Sequence, residues 1–355
     1  MEKRKRRGGQ GSRDPAESGR PATLVDVALA AKVSIATASR AINGRRYVSD
    51  DTRAQVLRAA EQLKFRPSSL ARGFRAQRSQ IIGMVVPDIS SPFYAAALRG
   101  AQHVLSRSGY TVLVCDTEEQ PQREREALDV LMGQRVAGVI LAPVGREHAD
   151  LRELMAVQST ALVAIDNRLG GHVVDTVLVD NVGGAAALTS HLIAHGHRRI
   201  GHLAGILTET SGADRLIGYR SALQTAGLPF RDELVAEGDW SEAGGNVQCL
   251  RLLALDEPPT ALMISSSLMA VGALLALRAR GLAVPEQMAV ACFDDTPWAP
   301  LVEPPLTTLD RQDYALGATA AELILKQLDH QSGDDGMEHL LPMAVVPRRS
   351  CGCNA

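Results

Sequence analysis

The sequence has few aromatic residues, few cysteines and no long apolar run. Phe, Trp and Tyr make up 3% of the 355 residues, although apolar residues as a whole reach 45%. No segment approaches the ~20 apolar residues that a membrane-spanning helix needs, and the charged N-terminus is unlike a signal peptide. We therefore expect no membrane partner, and a core built mainly from Leu, Ala and Val, as in layered α/β proteins.

The five cysteines are an odd number without a repeating spacing, which favours a reduced, cytoplasmic protein over a disulfide scaffold. Several histidines cluster in sequence, and His191 and His195 have the i, i+4 spacing that can chelate zinc. However, Gly196 is expected to end their helix, and Cys351 and Cys353 form an isolated short pair. We therefore predict no metal site.

Motifs of catalysis and phosphate binding are also absent from the sequence. It contains neither a G-x-S-x-G nucleophile elbow nor a G-x-x-x-x-G-K-[ST] loop. This absence predicts a protein that is not an enzyme, without catalytic residues and without a cofactor.

Charge is distributed unevenly along the chain. Residues 1–80 contain 18 Lys and Arg against 7 Asp and Glu, a net charge of +11, whereas the remainder has a net charge of −13. A basic head joined to an acidic body is typical of a polyanion-binding module fused to a second domain. A solvated basic tail without a partner is the alternative.

Three short helices are predicted within residues 23–67, after a basic tail at 1–22 that we expect to be disordered. Thr23 begins a capping-box pattern, and Ser34 and Ser49 are candidate N-caps for the second and third helices. Two short helices joined by a tight turn, with a third helix behind them, are typical of a helix-turn-helix unit.

The second helix, within KVSIATASRAING, contains almost no large apolar side chains. Ala38, Ala41 and Ile42 fall on one side and can pack inward. The other residues are mostly small or polar and are predicted to face outward: Ser34, Ile35, Ala36, Thr37, Ser39, Arg40 and Asn43. Small outward side chains let a helix lie deep in the DNA major groove, where Arg40 can bind guanine or phosphate.

From Ile81 onward, short apolar strands alternate with helical segments. Two successive series of four strands, beginning with IIGMVVPDI and TVLVDN, predict two lobes with parallel sheets. Polar residues such as Asp88, Asp166 and Asp294 follow the strand ends. Because open α/β sheets bind ligands at the carboxyl ends of their strands, two facing lobes predict a ligand cleft.

These segments together resemble the LacI/GalR family of bacterial transcriptional regulators. The similarity runs from TLVDVALAAKVSIATASRAING through IIGMVVPDISSPFY and HLIAHGHRRIGHLAG to CFDDTPWAPLVEPPLTTL, and covers Thr23 to Ser350. It implies an N-terminal all-α helix-turn-helix head (23–67) and a hinge helix or linker (68–79). These are joined to a two-lobed, periplasmic-binding-protein-like α/β core of parallel sheets, with lobes at 80–177 plus 311–341 and at 178–310 plus 342–355.

The resemblance also implies which residues contact DNA. The matching positions are Leu24, Ser34, Ile35, Ala36, Ser39, Arg40, Asn43, Tyr47, Thr52, Ala71 and Phe74. Because Ile35 and Ala36 cannot donate hydrogen bonds from their side chains, specificity is expected to depend on Arg40, Ser39 and Asn43. In the hinge, Phe74 occupies the position of a leucine that wedges between base steps; alternatively, it packs on the next domain.

The positions that bind an effector in the family correspond to Phe93, Tyr94, Asp166, Arg215, Ser266 and Asp294. Aromatic faces and carboxylates suit a sugar or related metabolite, and Arg215 can bind an anion or hydroxyl groups in a bidentate manner. In this chain Ser266-Ser267 replaces the usual Asn-Asp pair. The loss of an amide and a carboxylate leaves the identity of the effector open.

The sequence therefore predicts a cytoplasmic homodimer, associated with the nucleoid when bound to DNA. It would regulate transcription, most often as a repressor in this family, by binding a palindromic double-stranded operator under the control of a small-molecule effector. One alternative is a cytoplasmic binding protein whose head has weakened DNA recognition, as Ile35 and Ala36 suggest. A third hypothesis, an enzyme using the cleft, is disfavoured by the missing motifs.

Overall fold

The structure is a computed structural model that describes residues 22–42, 48–65, 79–145, 151, 160–170, 174–329 and 336–353. The predicted tail up to residue 21 lies outside these ranges, as do nearly all of the predicted hinge and the candidate DNA contacts Asn43, Tyr47, Ala71 and Phe74. The chain forms two compact units, Met1–Ser79 and Gln80–Ala355, which are described separately.

Among its described residues, the first unit, the head, contains three helices: α1 (Leu24–Ala30), α2 (Ile35–Ile42) and α3 (Asp50–Gln62). Their starts follow the predicted caps. At Thr23 the capping box is complete, because the Thr23 amide donates to the Asp26 carboxylate (2.8 Å) while the Asp26 amide donates to the Thr23 hydroxyl (3.4 Å). The hydroxyls of Ser34 and Ser49 accept from the amides three residues later, at 3.1 and 3.3 Å.

The second unit, the core, contains two parallel sheets, and all eight predicted strands are confirmed. The first sheet has the strand order β2-β1-β3-β4-β5-β11, and each neighbouring pair is parallel. Its strands in chain order are β1 (Ile81–Val86), β2 (Thr111–Asp116), β3 (Gly138–Leu141), β4 (Ala161–Ile165), β5 (Asp175–Val179) and β11 (Glu338–Leu341). The sequence pattern did not predict β11, which returns from the far end of the chain to pair with β5.

The second sheet has the order β7-β6-β8-β9 and is also parallel. Its strands are β6 (Ile200–Ala204), β7 (Val235–Glu237), β8 (Ala261–Ile264) and β9 (Ala289–Cys292). A short antiparallel pair, β10 (Thr308–Asp310) with β12 (Ala344–Val346), forms a third sheet. The prediction that TVLVDN opens the second series of strands is wrong, because this segment is β5 and belongs to the first sheet. The predicted lobe boundary between residues 177 and 178 falls inside this strand.

In the described part of the core, seven helices cover the two main sheets: α4 (Pro92–Arg107), α5 (Pro121–Gly133), α6 (Asn181–Ala194), α7 (Thr210–Thr225), α8 (Glu242–Leu253), α9 (Ser267–Ala279) and α10 (Asp313–Leu328). Successive side chains of a strand point to opposite faces. In β1, Ile82, Met84 and Val86 therefore pack with α4 and α10, whereas Val85 packs with Leu131 of α5. Within the described residues, no helix is long and apolar enough to span a membrane.

Two glycines set the distance between α4 and α10. A Cβ atom on Gly100 would lie 2.0 Å from the backbone oxygen of Tyr314, and one on Gly317 would lie 1.8 Å from the backbone oxygen of Ala97. No larger residue fits at either position without separating the helices. The close packing positions Phe93 and Tyr94, at the start of α4, beside the carboxyl ends of the strands.

Candidate functional site

The exposed face of α2 is the candidate DNA-reading surface. Its inward side packs into a small cluster in which Ala38 and Ala41 join Val27, Val56 and other buried residues of the head. Ile35 remains 46% exposed, and Ser34, Ala36 and Arg40 are exposed beside it. This face therefore offers small side chains and one guanidinium, as a helix in the major groove requires.

Ser39 departs from its predicted orientation. It is only 6% exposed, so the expectation that it faces outward with Arg40 is wrong. At about 100° per residue, Ser39 lies at the edge of the side formed by Ala38 and Ile42, and its small side chain is covered there. Two further predicted DNA contacts have structural roles: Ser34 caps α2, and the Thr52 amide is bound by the cap of α3.

In the core, side chains from both main sheets line one cavity. Its empty volume, which includes the open solvent at its mouth, is about 520 Å³. The lining includes five of the six predicted effector residues: Phe93, Tyr94, Asp166, Ser266 and Asp294. It also includes Asp88, Glu119, Glu209, Trp240 and Arg311, of which only Asp88 had been marked by its place after a strand.

Arg311 connects the carboxyl ends of both sheets. Its Nη1 forms an ion pair with Asp294, which follows β9, and its Nη2 lies 3.5 Å from Oδ1 of Asp166, which follows β4. The guanidinium also lies 3.9 Å from the centre of the Phe93 ring. Burial alone would raise the pKa of Asp294, but Arg311 and Arg215 outweigh it and lower that pKa.

Asp166 is held in a strained backbone conformation, with φ of +64°. Its Oδ2 accepts a 2.9 Å hydrogen bond from the Tyr94 hydroxyl. Burial, followed by the neighbouring Asp166, raises the pKa of Tyr94 well above its ordinary value, so this phenol remains a hydrogen-bond donor. Trp240, another lining residue, has the same left-handed φ of +64°. Strain at two positions of one cavity is typical of a preorganised binding site.

Two further carboxyl groups that line the cavity, those of Glu119 and Glu209, have raised pKa values. Burial raises the pKa of Glu119 to about 8, assisted by Glu209 and Asp166. Burial likewise raises the pKa of Glu209 to about 7, although its 2.8 Å hydrogen bond from the Trp240 indole opposes the shift. These two carboxyl groups can each donate or accept a hydrogen bond, according to what the ligand presents.

Arg215, the sixth predicted effector residue, is not among the lining side chains. It is 2% exposed, and its Nε and Nη1 donate to Asn181 Oδ1 (2.9 Å) and to the Ser265 backbone oxygen (2.5 Å). The guanidinium lies 3.9 Å from the centre of the Phe293 ring. The Arg215 guanidinium therefore donates to other groups of the protein, whereas the prediction had it donate to a ligand. Burial, followed by repulsion from Arg311, lowers the pKa of Arg215 to about 10.

The second serine of Ser266-Ser267 contributes through its backbone. Ser266 caps α9, with its hydroxyl accepting from the Met269 amide at 3.3 Å, and the Ser267 amide donates to Asp294 at 2.7 Å. The strand-end rule that found Asp166 also extends to Glu119 and Trp240, which lie three residues after the parallel strands β2 and β7. It does not extend to Arg311, which follows a strand of the antiparallel pair.

Comparisons with known proteins find similar sequences for both the head and the core. Residues 23–68 match the model of the bacterial regulatory proteins, lacI family, and residues 189–351 match a periplasmic binding protein-like domain. Catabolite control protein A of Priestia megaterium is 32% identical over 92% of this chain and 98% of its own length. The HTH-type transcriptional repressor PurR of Actinobacillus pleuropneumoniae serotype 3 (strain JL03) is 33% identical over 86% and 91%.

Solved structures show the same architecture. The lac repressor dimer bound to operator and the anti-inducer ONPF is 28% identical, with a TM-score of 0.83 over 94% of this chain and 99% of that chain. The complex of the transcriptional regulator CelR with cellobiose is 31% identical, with a TM-score of 0.71 over 93% and 99%.

Proposed function

This chain belongs to the lacI family of bacterial regulatory proteins and is a DNA-binding transcriptional repressor with an effector-binding core; on that premise, we propose that its effector is a small hydroxyl-bearing molecule held between the two sheets. The observation that carries this proposal is the link from Asp166 through Arg311 to Asp294. A ligand that competes for this link alters how the ends of the two sheets are held together.

The balance of hydrogen-bonding groups indicates the chemistry of the ligand. Five carboxyl groups line the cavity, against the single guanidinium of Arg311 among the described lining residues. The site therefore offers many more acceptors than donors, and the ligand must supply hydrogen-bond donors. A sugar or related metabolite with several hydroxyl groups satisfies this requirement, with Phe93, Tyr94 and Trp240 covering its apolar face.

The DNA-reading residues proposed for the head are those of the exposed α2 face, with Arg40 as the principal one. Leu24, Ser34, Ile35, Ala36, Asn43, Tyr47 and Thr52 are proposed as supporting contacts, and Ala71 and Phe74 as contacts from the hinge. We assign two chains to one palindrome, so that ligand-dependent movement of the two lobes changes the spacing of the two hinge segments.

We further propose that the protein acts in the cytoplasm, where its DNA is, and that the cleft binds its ligand without converting it. Asp166 and Asp294, two of the lining carboxylates, are bound to Arg311, which disfavours either of them as a general base. Recovery of a chemically altered ligand after incubation with the pure protein would contradict this assignment.

The DNA-binding proposal is tested by selecting random duplex DNA with the purified protein and sequencing what is retained. We expect one palindrome to be enriched, and Arg40→Ala to abolish the enrichment. Arg58→Ala is the matched control, because Arg58 is an exposed arginine on α3 whose loss changes the charge equally. If both variants lose the enrichment equally, positive charge alone binds the DNA. This result would favour the alternative of a head with weakened recognition of DNA sequence.

The ligand proposal is tested by thermal shift against a panel of sugars, polyols, carboxylated sugars and, for comparison, small carboxylic acids and amines without hydroxyl groups. We expect stabilisation by a polyhydroxyl compound, abolished in Asp166→Asn and retained in Asp329→Asn, which changes an exposed carboxylate after α10. The compound that stabilises the protein is then added to the operator complex, and the change in operator affinity is measured. Stabilisation only by compounds without hydroxyl groups, or equally in both variants, would refute the assignment of the cleft.

A further inference from the structure

Two cysteines and two histidines meet at the C-terminal end of α6, outside the ligand cavity. His191 Nε2 lies 3.1 Å from Cys351 Sγ and 3.4 Å from Cys353 Sγ, and His195 Nε2 lies 3.1 Å from Cys353 Sγ. The two sulfurs are 3.1 Å apart, and all four atoms lie within 4.8 Å of one another. The prediction that the cysteines form an isolated pair is therefore wrong.

Local structure explains why the two imidazoles and the two thiols face each other. His191 and His195 are four residues apart, so they lie on the same face of the helix, and α6 ends there as predicted, with His195 as its C-cap and Gly196 at φ +92°. Between the cysteines, Gly352 has φ of +93°, a left-handed conformation that suits glycine. This turn brings both sulfurs to the side occupied by the histidines.

A hydrogen bond fixes the imidazole of His195 in the orientation that a metal ligand needs. Its Nδ1 lies 2.8 Å from the backbone oxygen of His191. Because a carbonyl oxygen can only accept, Nδ1 carries the proton and Nε2 presents its lone pair towards the cysteines. Metal-binding histidines commonly have this arrangement, in which the second ring nitrogen donates to a carbonyl.

We propose that His191, His195, Cys351 and Cys353 bind one Zn²⁺ ion as a structural site. Two imidazoles and two thiolates are a set that zinc takes in closed tetrahedral sites, with neighbouring ligand atoms about 3.3–3.8 Å apart. The four side chains need to open outward only slightly to reach that geometry. Binding releases the two thiol protons to solvent, and the two thiolates balance the charge of the ion.

In this proposed site the zinc ion links the segment after β12 to α6. That segment already reaches the second sheet through Ser350, whose hydroxyl donates to the Val290 backbone oxygen (2.6 Å) and accepts from the Thr307 amide (2.8 Å). Cys351 is fully buried against α6, whereas Cys353 is partly exposed and His195 is exposed. The ion thus cross-links parts of the core that are separated by about 160 residues.

The test uses full-length protein purified with a reductant and loaded with Zn²⁺ or Co²⁺. We expect one tightly held metal ion per chain by elemental mass spectrometry, and a tetrahedral cobalt spectrum with thiolate charge-transfer bands. Cys353→Ser and His195→Asn should each weaken metal binding by about 100-fold or more. Both positions are at least partly exposed, and circular dichroism will establish that the variants fold.

Matched controls are Cys115→Ser and His197→Asn, which change a partly exposed thiol and an imidazole outside the cluster. Both should bind the metal as the unaltered protein does. Metal retained by Cys353→Ser, metal lost equally from the control variants, or fewer than one ion per chain in fully reduced protein would overturn the proposal. A Cys351–Cys353 disulfide that persists in place of the metal under reducing conditions would also overturn it.

Discussion

The head and the core bury different kinds of side chain. Among the described residues of the head, the buried apolar side chains are all alanine or valine, whereas the largest cluster of the core contains Phe, Tyr, Met, Leu and Ile. Buried area limits hydrophobic stabilisation, so the head gains little from its interior and depends more on its helix caps. Helix α2 likewise has few large side chains, with Ile35 exposed among small neighbours, and such a helix can enter a groove.

The two units can be followed separately in solution. Both tryptophans of the sequence, Trp240 and Trp298, belong to the core, so intrinsic tryptophan fluorescence reports its unfolding alone. Operator binding, in contrast, requires a folded head. A substitution in one unit is therefore expected to affect one of these two measurements more than the other.

The largest effect is expected from Gly317→Ala in the core. The added Cβ would lie 1.8 Å from the Ala97 backbone oxygen, so α4 and α10 must separate. We expect a loss of about 3 kcal/mol or more, measured by urea unfolding with tryptophan fluorescence. Gly133→Ala is the control: nothing lies within 4 Å of its Cβ position, and alanine should be tolerated or slightly stabilising. Equal losses would show that helix packing is not the cause.

Val56→Ala tests the small interior of the head. Val56 is 0% exposed and sits in the cluster that holds the three helices together. Removal of two methyl groups should destabilise the head by about 2 kcal/mol and weaken operator binding, while tryptophan-detected unfolding stays unchanged. Val25→Ala, at a residue 46% exposed, should leave both readouts almost unaltered. A shifted core transition in Val56→Ala would contradict independent units.

Ser49→Ala removes the side-chain cap of α3, beside the proposed DNA contact Thr52. Its hydroxyl accepts from the Thr52 amide at 3.3 Å, and loss of such a cap typically costs about 1 kcal/mol. We expect a small decrease in the unfolding temperature of the head, detected by circular dichroism at helix wavelengths. Replacement by Asp, which can also cap, should restore stability. If Asp fails as Ala does, the hydroxyl has another role.

A final effect is a pH dependence confined to the core. Burial raises the pKa of Glu119 to about 8 from an ordinary 4.5, so the folded core keeps a proton that the unfolded chain releases. The resulting stabilisation is complete below about pH 4.5 and is lost as pH rises through 8. Glu119→Gln should flatten the fall in core melting temperature between pH 5 and 8, whereas Glu322→Gln, at an exposed position, should not.

The residues of the candidate site were predictable where their position follows from a short-range sequence pattern. Asp166 and Asp294 were found because polar residues after parallel strands gather at one edge of a sheet. Glu119 and Trp240 were missed although the same rule extends to them, whereas Glu209 was missed because it comes from a loop whose place in the cavity depends on how the two sheets face each other. Arg215 was assigned from the family pattern alone, and sequence gives no sign that Asn181 and Ser265 use its hydrogen bonds.

By itself, the sequence determined the local structure: the caps at Thr23, Ser34 and Ser49, the alternation of strands with helices, and the charge difference between head and core. These features depend on residues a few positions apart, so short-range pattern encodes them. Tertiary structure alone decided the burial of Ser39, the Arg311 link across the cleft, and the meeting of His191 and His195 with the cysteines. Each of these is a juxtaposition of distant or differently facing segments, created only when their surfaces pack together.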